Sequence, residues 1–211
     1  MSAASPGFPP RPEPEDRARA DFYALFARLY FSAPDAPLLR MLGQAPLLAA
    51  EADSAAFALA WARLSAAARV MEAQAARDEY EALFGGVGKS LVPLFGSFYA
   101  GALATGSAGQ FLVDLRAALA DFGLGLQAGQ SMPEDHLSAL FETMRLLIAG
   151  SGENAPRSAA EQQAFFRKFI APWQAKCCDA INAAGVANFY KTVAQCTEAF
   201  LAIEDESFAI A

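Results

Sequence analysis

The sequence has little of what metal enzymes and nucleic-acid binders rely on. It holds one histidine, His136, and three cysteines, Cys177, Cys178 and Cys196, with no Cys-x-x-Cys pair. Structural zinc sites are built from such pairs and from histidines, so no metal is expected, and no cofactor. The odd cysteine count fits buried free thiols in a reducing compartment; a redox switch at the adjacent Cys177 and Cys178 is the alternative. Only 18% of the residues are charged, the net charge is -7, and no basic run is present. Nucleic-acid affinity rests on Lys and Arg neutralising phosphates, so nucleic acid is not an expected partner. A basic peptide suits the charge better. Runs of Val, Ile and Thr are scarce, which disfavours strands. The N-terminal "MSAASPGFPPRPEPED" lacks the apolar core of a signal peptide, and no uninterrupted apolar run is long enough to span a membrane. A cytoplasmic location is expected.

What the sequence has is apolar, helix-favouring material. Of 211 residues, 55% are hydrophobic, enough for one domain with a substantial core. Residues 1–13 read as a disordered proline-rich arm, and residues 14–211 as a helical domain. Phe22, Leu25, Phe26 and Leu29 form an i, i+3, i+4, i+7 stripe. Pro37 suits the first turn of a short second helix. Phe57, Trp61, Leu64, Ala68 and Met71 mark another helix, and Tyr80, Leu83 and Phe84 a further one, stopped by Gly85-Gly86 through positive φ. Gly85 to Gly106 reads as loop and turn. Helical stripes then recur at Phe111–Phe122, Leu137–Ile148, Phe165–Trp173 and Phe189–Ile203. The fold class is all-α, with eight to ten helices and no internal repeat. The connections Gly123–Pro133 and Gly150–Pro156 are long enough to act as hinges, leaving both a monomer and a domain-swapped dimer open.

Two stretches carry candidate chemistry. "LFGGVGKSLVPLFGSFY", Leu83 to Tyr99, contains Gly88-Lys89-Ser90. A phosphate-binding loop needs a glycine five positions before the Gly-Lys-Ser glycine, and Leu83 stands there. It also needs a strand before it and a helix after it, whereas a helical pattern precedes and Pro93 follows. The stretch is therefore either a ligand groove, with aromatics offering contact area and glycines close backbone approach, or a cover over the core; residue types alone favour the cover. In "SMPEDHLSAL", Ser131 and Glu134 have capping-box spacing with Pro133 in the first turn, which accounts for the acidic pair. Asp135 and His136 point about 100° apart on a helix, and no nucleophile elbow accompanies them. A small helical enzyme using Asp135 and His136, and a generic helical interaction protein, are the alternative functions.

The combination "YEALFGGVGKSLVPLFGSFY", then "PEDHL", then "FFRKFIAPWQAKCCDAINAAGVANFYKTVAQCTEAFL" resembles the TorD/DmsD family of cytoplasmic chaperones for molybdenum redox enzymes, over roughly Asp21 to Phe208. The resemblance implies an all-helical fold and no enzymatic activity. It implies a chaperone that binds the twin-arginine signal peptide of a molybdopterin-containing oxidoreductase and delays export until the cofactor is inserted. The peptide-binding positions it implies are Tyr80, Leu83, Phe84, Phe95, Pro133, Asp135 and His136. Tyr80 and Phe95 stand where some relatives have Trp, Leu94 where they have a second proline, and Phe169 where the "H-L-x-P-W" element has histidine. Formate dehydrogenase, dimethyl sulfoxide reductase-like and trimethylamine N-oxide reductase-like clients all fit.

Overall fold

α1 (Pro14–Phe31) begins with a proline in its first turn and Glu15 and Asp16 beside it, and it ends with Arg28 in its last turn. Each suits that end of the helix. The computed structural model describes residues 13–50, 54–85, 90–102, 107–124, 132–151 and 154–210; the proline-rich arm, apart from Glu13, lies outside them. Along the chain follow α2 (Ala36–Gln44), α3 (Ala55–Val70), α4 (Ala73–Phe84), α5 (Gly96–Ala102), α6 (Ala108–Asp121), α7 (Leu137–Ala149), α8 (Ala159–Phe169), α9 (Ala171–Ala183) and α10 (Phe189–Ile210). Among the described residues there is no strand, only two isolated bridges. The protein is all-α, and among the described residues no helix is long and apolar enough to cross a membrane.

α1 packs along α7, α10 lies against α3 and α9, and α2 lies on α3. Tyr23 and Phe26 of α1 meet Phe141 of α7 and Phe200 of α10, with Tyr23–Phe200 centroids 5.0 Å apart and edge-on. Burying side chains of this size contributes about 1.5–3 kcal/mol each. One ion pair enters this interior. Arg19 donates from Nε and Nη2 to the two Glu204 oxygens at 2.7 and 2.9 Å, and from Nη2 to Gln162 Oε1 at 3.2 Å. The pair ties α1 to α10 and α8, and it raises the Arg19 pKa against the opposing effect of burial. Cys177, Cys178 and Cys196 are free and buried. Burial pushes the Cys177 and Cys196 thiols up to about 12, so they behave as inert core side chains.

Three local expectations are corrected. Gly85 ends α4 with φ -78 and ψ 178, not with positive φ. The glycine is needed for space instead, because a Cβ there would stand 2.6 Å from the Glu81 carbonyl oxygen. Gly86 lies outside the described residues. Second, Gly96–Ala102 is a helix inside the stretch read as loop. With two glycines in seven residues its propensity is low, and tertiary contacts form it, as described below. Third, α7 starts at Leu137 rather than around Pro133. His136 is its N-cap, accepting the Ser138 N–H on Nδ1 at 3.2 Å. Ser131 lies outside the described residues, and Glu134 bonds Arg116 at 2.7 Å. The capping box that does form is Ser158 with Glu161, at the start of α8.

Candidate functional site

The site is built from two groups of side chains joined by one backbone segment. The first group sits on the last two turns of α4. Leu83 is fully buried and faces the core, as its stripe requires. Tyr80 and Phe84, one turn apart, are half-buried. Their rings lie edge-on at 5.2 Å, and Tyr190 of α10 backs them at 5.8 and 5.1 Å. The Tyr80 hydroxyl donates to the carbonyls of Phe31 at 2.8 Å and Tyr30 at 3.2 Å. The last carbonyls of a helix have no partner within it, so Tyr80 closes the end of α1. Burial raises the Tyr80 pKa, with Arg28 opposing.

α4 is held in place by Glu79. Its carboxylate accepts three backbone N–H groups, of Asn188 at 2.8 Å, Phe189 at 3.0 Å and Tyr190 at 2.7 Å. These are the unpaired donors at the start of α10, where a negative charge is also favoured. Glu79 thus sets Tyr80 and Phe84 against Tyr190.

The second group gathers around the start of α7. The Val92 N–H donates to the Leu83 carbonyl at 2.9 Å, and the Leu137 N–H to the Leu94 carbonyl at 2.8 Å. Residues 92–97 therefore run from the end of α4 to the start of α7. Phe95 and His136 pair as an isolated antiparallel bridge, with rings edge-on at 5.2 Å. Asp135 is 3% exposed. Its carbonyl accepts the Gly96 N–H at 2.9 Å, and its Oδ2 accepts the Ser97 N–H at 3.0 Å. Asp135 therefore caps α5 from a distant part of the chain, which is why a glycine-rich segment becomes helical. Pro133 accepts the His136 N–H at 3.1 Å and is exposed.

His136 is buried as well, and burial pushes its pKa down to about 4, partly opposed by Asp135. It is a neutral imidazole at neutral pH, with Nδ1 as the acceptor. Among the described residues, no hydrogen bond joins the Asp135 and His136 side chains.

Of the seven residues named from the sequence, Tyr80, Leu83 and Phe84 come together in one group, and Phe95, Pro133, Asp135 and His136 in the other. Among the described residues, no hydrogen bond or ring contact links a side chain of one group to a side chain of the other. Sequence reading missed Glu79, Ser97, Tyr30 and Tyr190. No local spacing marks Glu79 or Ser97, because their partners are far along the chain. The aromatic character of Tyr30 and Tyr190 was the one available signal.

In this all-helical chain, residues 92–97 are thus pinned to a distant Pro-Glu-Asp-His element at residues 133–136. The chain belongs to the nitrate reductase delta subunit family, whose model matches residues 50–179. That family is one of redox-enzyme maturation chaperones, which bears out the resemblance to TorD/DmsD. The matched span holds all seven residues named above. A comparison with curated proteins gives no match.

Proposed function

We propose that the protein acts in the cytoplasm as the chaperone of one molybdopterin-containing oxidoreductase subunit. It binds that subunit's twin-arginine signal peptide, and it holds back export until the cofactor is in place. The observation that carries this reading is the half-buried pair Tyr80 and Phe84. The pair is backed by buried Leu83 and Tyr190 and fixed by Glu79. It offers a rigid apolar surface to the apolar part of a leader at low entropic cost. In this reading Phe95 and Pro133 supply a second contact, apart from the first, beside the start of α7. His136 holds Phe95 in place.

In this reading Asp135 keeps Oδ2 on the Ser97 N–H and accepts a leader arginine on its other oxygen, as a charge-assisted pair. Because Asp135 is 3% exposed, this pairing requires its surroundings to open first. The family description adds nitrate reductase to the clients that fit.

The decisive experiment is purification from cells of its source. A molybdoenzyme catalytic subunit should co-purify and should be lost when its leader is deleted. Retention without the leader would overturn the signal-peptide reading. For the charge pair, Asp135→Asn should weaken leader binding, and affinity should fall as salt rises. A flat salt dependence removes arginine pairing while leaving the apolar contact standing.

A further inference from the structure

A cavity of about 550 Å³ lies at the other end of α4, between α2 and the α3–α4 junction. None of the residues assigned to peptide binding lines it. Leu39, Ala68, Met71 and Ala73 supply apolar wall, and Arg40, Arg69 and Glu72 supply charge. Its volume is in the range of small-molecule sites. At 1.5 Å per residue, Ala73 and Phe84 are about 16 Å apart along α4, so the two sites are separate.

The arginines are differently held. Arg69 donates from Nε to the Gly43 carbonyl at 2.6 Å. Gly43 makes room for this: a Cβ there would stand 2.9 Å from Arg69 Cγ and 3.3 Å from its Cα. The Arg69 stem is thereby laid across the end of α2. Among the described residues, the two terminal nitrogens of Arg69 have no hydrogen-bond acceptor, and Arg40 has neither an acceptor nor a carboxylate within 4.0 Å. A guanidinium fixed through Nε presents its remaining donors in a fork that fits a carboxylate.

We propose that this cavity binds a small carboxylate carried on an apolar stem. Arg40 and Arg69 take the carboxylate, and the half-buried Met71 and Ala73 take the stem over a floor of buried Leu39 and Ala68. Two arginines against Glu72 leave one positive charge, which matches a monoanion better than a doubly charged phosphate. In a chain of net charge -7, such a local excess is set against the overall field. The inference stands apart from the peptide reading, since its residues and its ligand differ.

The test is titration of the full chain with hexanoate, followed by the Nε–H signals of Arg40 and Arg69 and the Met71 methyl signal in NMR spectra. All three should move together on one saturable curve. Hexanol and inorganic phosphate, which each supply half of the chemistry, should bind much more weakly. Arg40→Gln breaks no described contact, so it should fold normally; loss of one charged partner should weaken hexanoate binding roughly tenfold. Arg69→Lys keeps the charge and loses the fork, and should also weaken binding. The absence of a saturable hexanoate response would overturn the proposal. So would equal responses to hexanol or phosphate, or unchanged binding in Arg40→Gln.

Discussion

Tyr80 and Tyr190 close the same end of α1. Tyr80 takes the carbonyls of Tyr30 and Phe31, and Tyr190 takes that of Leu29 at 3.0 Å. Their rings lie 5.8 Å apart. The candidate site is therefore framed by hydroxyls that satisfy the last carbonyls of α1 as well as by apolar rings.

Tyr190→Phe should destabilise the protein by about 1–3 kcal/mol, the cost of leaving a buried carbonyl without its partner, and Tyr80→Phe by about 0.5–1.5 kcal/mol, because water can reach the carbonyl it leaves. Tyr190→Phe should cost more, because its bond is fully buried. Equilibrium urea unfolding measures both. Because the two hydroxyls serve one helix end, the double variant should fall short of the sum, and strict additivity would show that they act independently.

Glu79→Ala should cost about 2–3 kcal/mol, because it removes a charged acceptor from three N–H groups at once. Hydrogen exchange at Asn188, Phe189 and Tyr190 should speed up before other parts of α10 respond. Glu79→Gln keeps one acceptor oxygen and should fall between wild type and Ala. Equal losses for Gln and Ala would mean that the charge carries the whole effect.

His136 gives a pH dependence of known sign. Its pKa is about 4 folded against the ordinary 6.5. Between those values the unfolded chain binds a proton that the folded chain does not. Its contribution is therefore complete above about pH 6.5 and is lost as pH falls towards about 4, by on the order of 3 kcal/mol. Protonation would also remove the Nδ1 acceptor that caps α7. The difference in unfolding free energy between wild type and His136→Asn should shrink across that window; parallel profiles would contradict the assignment.

Gly150 and Gly123 both have positive φ, 74 and 72, but their surroundings differ. A Cβ at Gly150 would stand 2.6 Å from the Asn154 carbonyl oxygen, whereas at Gly123 the nearest atom is 3.8 Å away. With ψ at 174, Gly150 also occupies a region almost reserved for glycine. Gly150→Ala should lower stability by more than 2 kcal/mol, Gly123→Ala by about 1 kcal/mol. Thermal unfolding of the two variants separates the cases.

Much of the helical order was legible because amphipathic periodicity is a local property. The stripe at Phe22, Leu25, Phe26 and Leu29 needs only its own spacing to define an inward face, and Pro37 needs only its fixed φ to suit a first turn. The aromatic stretch was ambiguous because the same residue types serve a core and a groove. In the structure their burial is divided: Tyr99 is buried, Phe98 is exposed, and Phe84 and Phe95 lie between. The Ser158–Glu161 capping box follows the same spacing rule as Ser131 and Glu134.

The sequence by itself determined an all-α chain, the mismatch of Gly88-Lys89-Ser90 with phosphate-loop spacing, and the residue types from which a site can be drawn. Tertiary structure alone decided that α5 exists, because Asp135 caps it across 38 residues. It alone decided that α7 starts at Leu137, just after His136, where the Phe95 bridge pins the chain. It also made Glu79 the anchor of α4, through donors more than 100 residues away. The reason is one of range. Periodicity and spacing report interactions within a few turns, whereas the unpaired groups at a helix end accept any partner that folding delivers.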